Sequence, residues 1–108
     1  METFELETPD LIKWYIKTSD DGVKITNDSV KNSLFYCAEN DIENTKAQLN
    51  HVGLVLKKLN LILQYVNDYH KKNIIDKQTV DYVTNNFMKA FKNGQICMNM
   101  INRCQENQ

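Results

Sequence analysis

The sequence predicts an all-α protein: a helical bundle of four to five helices organised on one long central helix. Three observations lead there. Only three Gly and one Pro occur in 108 residues, so the turn chemistry that sandwiches and barrels need is missing. Hydrophobic residues make up 42%, too many for a disordered chain. From Ile42 to Lys72 apolar residues recur at helical spacing, with no Pro and a single Gly, Gly53.

The length fits one domain, residues 1–108, with residues 1–7 and 105–108 expected to fray. At this size the core is thin. The first helix is expected to open at Thr8-Pro9-Asp10, a hydroxyl cap, Pro at the first helical position and an acidic residue suited to the dipole. It carries Leu11, Ile12, Trp14, Tyr15 and Ile16 and ends near Thr18. Ser19-Asp20-Asp21-Gly22 reads as a turn and Val23–Thr26 as a short extended piece. A second helix runs from Asp28 or Ser29 to about Glu39, with Val30, Leu34, Phe35 and Cys37.

Asn40-Asp41-Ile42-Glu43 has the form of a capping box, with Asn40 as N-cap. The long helix behind it carries a heptad series, Ile42, Leu49, Val52, Leu56, Leu59, Leu63 and Val66. Val55, Ile62 and Tyr69 form an adjacent stripe, and Leu54 and Leu61 widen the face further. Such breadth suits a bundle core better than a two-stranded seam. Asp76 caps a further helix holding Val80, Val83, Phe87, Ala90 and Phe91, which is expected to stop at Asn93-Gly94. A last short helix groups Cys97, Met100, Ile101 and Cys104. No internal repeat or low-complexity stretch is read.

The long helix carries the functional argument. At 1.5 Å per residue it is ~46 Å long, whereas a compact globule of this chain length is about 34 Å across. It must bend, with Gly53 the candidate hinge, or project and leave its stripes for another chain to cover. Leu49, Val52, Val55, Leu56, Leu59, Ile62, Leu63 and Val66 are therefore the candidate interaction residues, as bundle core or as interface. The function expected is a helical protein–protein interaction or assembly module, a scaffold that oligomerises or packs on a partner helix. Trp14 and Tyr15 either anchor an interface or pack on the long helix. The alternative is a small ligand-binding or regulatory helical protein, with an apolar pocket lined by Phe87, Met88, Phe91 and the thiols.

Other chemistries are poorly equipped. His51 and His70 lie outside any HExxH motif, no Cys pair has zinc spacing, and Gly22, Gly53 and Gly94 are isolated. No catalytic constellation forms, so the reading is not an enzyme, with no cofactor and no metal. A net charge of −1 and a lone Arg, Arg103, argue against a nucleic-acid partner. No stretch of ~18 apolar residues exists, so no membrane insertion is expected. The acidic start, Met1-Glu-Thr-Phe-Glu-Leu-Glu7, lacks the form of a secretory signal. Cys37, Cys97 and Cys104 are odd in number and lack a CxxC pair, so they read as reduced thiols of an intracellular, cytoplasmic protein. Asn27-Asp28-Ser29 is read as a chance sequon. Twelve Lys against one Arg, with 14 Asn and 9 Ile, share A/T-rich codons and fit an AT-rich genome, a viral or pathogen one included.

One segment resembles a known family. Leu49 to Lys92, with Leu61-Ile62-Leu63-Gln64-Tyr65-Val66 and then Asp76-Lys-Gln-Thr-Val80, is similar to the helical region that follows the MPN domain in certain complex subunits. These are subunits of the proteasome lid, the COP9 signalosome and a translation initiation factor complex. The resemblance covers under half the chain and implies a helical bundle that joins subunits. Two departures limit it. The loop Lys72-Asn73-Ile74-Ile75 lacks the Gly and Pro typical there, and the chain has neither an MPN domain nor the metalloprotease His/Asp motif. The peptidase chemistry is therefore not implied.

Overall fold

The computed structural model describes residues 8–106 and folds them into three long helices, α1 (Thr8–Ala38), α2 (Ile42–Lys71) and α3 (Lys77–Glu106). All three pack against one another. Partners across α1 and α3 advance together, Ser19 with Asn86, Thr26 with Asn93 and Cys37 with Cys104, so these helices are parallel and α2 runs against both.

The bundle is a rod of 53 × 31 × 16 Å with a radius of gyration of 16.7 Å, against about 13 Å for a compact chain of this length. This corrects the expectation of four to five helices on one central helix. With 31, 30 and 30 residues, the helices match in length. α2 is unbroken through Gly53 and does not project, because α1 and α3 accompany it from end to end.

α2 spans what its apolar pattern announces, with its cap shifted by one residue. Asp41, not Asn40, is the N-cap: its Oδ1 accepts the Asn44 N–H at 3.1 Å. Asn40 instead takes φ 57°, a left-handed residue that ends α1. The second connection repeats the device. Asn73 has φ 62° after α2, and Asp76 caps α3 by accepting the Thr79 N–H at 2.9 Å.

α1 is one helix where two helices and a turn were expected. Its small polar residues serve the interior. Ser19 Oγ donates to the Ile16 carbonyl at 2.8 Å, and Thr26 Oγ1 to the Gly22 carbonyl at 2.9 Å, so these hydroxyls are satisfied within the helix. Gly22 lies against Leu59, where an added Cβ would stand 2.7 Å from Leu59 Cδ1. α3 likewise runs through Asn93-Gly94. Gly94 is buried against Val52, and Asn93 Nδ2 donates to Thr26 Oγ1 at 2.9 Å and to Asn27 Oδ1 at 2.8 Å.

A heptad repeat unread in the sequence becomes visible here. Lys17-Thr-Ser-Asp-Asp-Gly-Val23 and Lys24-Ile-Thr-Asn-Asp-Ser-Val30 occupy consecutive heptads of α1. They place Ser19 and Thr26, then Gly22 and Ser29, on the buried side. Asn86 and Asn93 face them one heptad apart. Each amide donates to a hydroxyl and to the next residue of α1, Asn86 to Ser19 Oγ and Asp20 Oδ1, both at 2.9 Å.

An apolar cluster of Tyr15, Leu59, Ile62, Val66, Ile75, Val83 and Ala90 fills the bundle between these seams. No buried side-chain nitrogen or oxygen among the described residues lacks a partner, as a closed interior requires. The structure also bonds Cys37 to Cys104, with Cα atoms 5.7 Å apart, and leaves Cys97 free and buried. The reading of three reduced thiols is corrected for two of them, and with it goes the thiol argument for an intracellular setting. No helix among the described residues is long and apolar enough to cross a membrane.

Candidate interaction surface

The eight residues singled out in the sequence divide evenly within the chain. Val52, Leu59, Ile62 and Val66 are buried, and Leu49, Val55, Leu56 and Leu63 are half-buried. α1 and α3 cover this face. The apolar residues that α2 leaves exposed flank this covered face: Leu54, Leu61 and Tyr65 are 65%, 53% and 54% exposed. Their spacing of seven and four residues puts them on one outer stripe. Leu54 and Leu61 had registered only as a widening of the inner face. The 3.6-residue period does not say how much of a wide apolar face the neighbouring helices can reach.

α1 meets this stripe with Trp14, 43% exposed, and Ile25. Its neighbour Tyr15 points inward and is buried. Burial, together with Tyr69 and Tyr65 nearby, holds the Tyr15 hydroxyl above the ordinary phenol range. Between α1 and α2 runs a trough of about 450 Å³, lined by Trp14, Thr18, Ile25, Leu54 and Val55 and floored by Gly22 and Leu59. Lys17, Asp21 and Lys58 also line it, and the Lys58 ammonium stands 6.0 Å from the Trp14 ring centroid. Beyond Ile25 the trough continues as a second depression of about 400 Å³, lined by Asp28, Ser29, Asn32, Ala47, Gln48 and His51. It exists because α1 presents small residues where it faces α2.

Other apolar residues are exposed on α1 and α3. Leu34, Ile96 and Met100 line a groove between α1 and α3 near the disulfide, with Phe35 exposed beside it. Met88 and Phe91 lie in an open depression on α3 with Lys89 and Lys92. The thiols are not among its lining residues: Cys97 and Cys104 are buried in the bundle. The pocket of Phe87, Met88, Phe91 and thiols weighed from the sequence is thus not assembled in one place.

Polar chemistry on the surface is dispersed. His70 Nδ1 lies 2.8 Å from the Ile75 carbonyl at the end of α2, and His51 is exposed on the trough. Ser33 Oγ donates to the Cys97 sulfur at 3.5 Å. Asn27 of the sequon is engaged by Asn93, and Ser29 is buried. No group of three or more His, Cys, Asp or Glu gathers at metal-binding distance among the described residues. Tyr82 donates to Asp20 Oδ1 at 2.6 Å, which raises the Tyr82 hydroxyl above its ordinary range.

No family model, curated protein or solved structure matches the chain.

Proposed function

We propose that the chain is a helical interaction or assembly module, working by packing its outer α1–α2 face against a partner helix or against itself. One observation carries this reading: Leu54, Leu61 and Tyr65 on α2 and Trp14 and Ile25 on α1 stay exposed on one side of a bundle whose inner faces are already filled. Contiguous exposed apolar residues beside a trough are the usual mark of a protein-binding face. The resemblance of residues 49–92 to subunit-joining helices agrees with it. In this reading the inner residues Val52, Leu59, Ile62 and Val66 shape the bundle, and the outer stripe meets the partner.

The test is the native mass of the chain in an extract of its source cells. The wild type should run in an assembly larger than the monomer. The double variant Leu54→Ser/Leu61→Ser should run as a monomer with unchanged helical circular dichroism. A wild type that is monomeric in the extract would overturn the reading.

A further inference from the structure

The structure assigns this face, taken as the interaction surface just proposed, to a second copy of the chain docked antiparallel with α1 against α1. The argument rests on the charges that edge the trough. The heptad repeat sets Lys17, Asp21, Lys24 and Asp28 along one outer edge of α1, all exposed. Positions four and three apart stack on one side of a helix, so the edge is a single line of alternating sign.

Such a line distinguishes the two ways of laying it on its own copy. Parallel and in register, Lys17 would meet Lys17 and Asp21 would meet Asp21, like charge on like. Antiparallel about a two-fold axis passing between Gly22 and Val23, every charge meets its opposite. Lys17 faces Asp28 of the partner subunit, and Asp21 faces Lys24 of the partner subunit, with both pairs repeated by symmetry. Sliding the pair by one heptad toward the N-termini would place Asp10 on Asp28 of the partner subunit, whereas a heptad slide toward the C-termini keeps opposite charges together, so the charges select the antiparallel orientation and the register is left to the trough.

The shape of the trough selects the same axis independently. From Trp14 to Asn32 it runs about 27 Å along α1, at 1.5 Å per residue, and its midpoint falls at Val23, within half a residue of that axis. Ile25 lines both halves, so a helix laid antiparallel across this centre covers the apolar half of one copy and the polar half of the other. Trp14, Ile25 and Leu54 supply the apolar area, and the charges fix the orientation. A net charge of −1 per chain leaves little overall repulsion between copies.

Light scattering coupled to size exclusion, on the purified chain over micromolar to sub-millimolar concentrations, decides it. The wild type should reach twice the monomer mass with rising concentration. The double variants Lys17→Glu/Lys24→Glu and Asp21→Lys/Asp28→Lys, each bearing one sign along the edge, should each dimerise more weakly by roughly tenfold or more. An equimolar mixture of the two should recover the dimer, and Trp14→Ala should abolish that recovery. The substituted sites are exposed, and circular dichroism verifies each fold. A purified wild type that stays monomeric throughout, or double variants that dimerise as the wild type does, would overturn the second-copy assignment. If the purified chain is monomeric while the extract still holds an assembly lost in Leu54→Ser/Leu61→Ser, only this assignment falls. If both are monomeric, the interaction reading falls with it.

Discussion

At Gly22 an added methyl would meet Leu59 Cδ1 at 2.7 Å, whereas at Gly53 nothing lies within 4 Å. Both positions are helical with ordinary φ, so Ala gains the same intrinsic helix preference at each, up to about 1 kcal/mol. The difference lies in the surroundings. The added carbon would crowd Leu59 Cδ1, Cδ2 and Cγ at 2.7, 3.1 and 3.2 Å, so the whole side chain and not one methyl must shift, and overpacking at Gly22 outweighs the gain, at a typical cost of about 1–3 kcal/mol. Urea denaturation should show Gly53→Ala more stable than wild type by about 0.5–1 kcal/mol and Gly22→Ala less stable. The same sign at both sites would mean that α1 does not approach α2 as closely as described. Asn86 poses a similar question on the α1–α3 side. It is 5% exposed and its amide spans Ser19 and Asp20. Asn86→Ala, which strands the acceptor on Ser19, should lower stability by about 1–3 kcal/mol.

At the scale of the element, helix ends and helix interiors were unequally legible. Asp76 reads correctly as a cap from its place before an amphipathic run. Its carboxylate accepts from Thr79, and that hydrogen bond holds it below the ordinary carboxylate range. The sign follows from linkage. A folded value below the unfolded one stabilises the fold above the ordinary Asp value of about 4, and the contribution disappears as pH falls through the lowered folded value. The urea midpoints of wild type and Asp76→Ala should therefore differ by a constant amount from neutrality down to about pH 5, then converge in stronger acid. A gap that persists unchanged at low pH would remove the charged cap from the account. α2 was legible because Leu, Val and Ile at heptad spacing have no common alternative reading. The interiors of α1 and α3 were not, because two helices in close approach need small residues between them. Ser19, Gly22 and Asn93-Gly94 are also the residue types of turns. The sequence period was present in the repeat from Lys17 to Val30, but it was a period of small polar residues, and hydropathy does not register those as a buried face.

For the whole molecule, the length mismatch that led from one long helix to an uncovered face dissolves once three helices of equal length lie side by side. The case for a partner now rests on the outer residues Trp14, Leu54, Leu61 and Tyr65, and no longer on the inner heptad. α1 and α3 are joined by the hydrogen bonds of Asn86 to Ser19 and of Asn93 to Thr26, and by the Cys37–Cys104 bridge near the far end. No spacing rule pairs two cysteines 67 residues apart. They meet because α1 and α3 are parallel and in the register that also aligns Ser19 with Asn86 and Thr26 with Asn93. A bridge closing so long a loop restricts the unfolded chain strongly, by about 4 kcal/mol on the chain-entropy estimate. Urea denaturation should thus show the wild type losing roughly 2–4 kcal/mol on addition of a dithiol reductant. Cys37→Ser should start at that lower stability and not respond to reductant, while Cys97→Ser should keep the full response, since Cys97 is the free thiol. If the wild type is indifferent to reductant, or if Cys97→Ser abolishes its response, then Cys37 and Cys104 are not the bonded pair and the parallel register of α1 and α3 loses its covalent support.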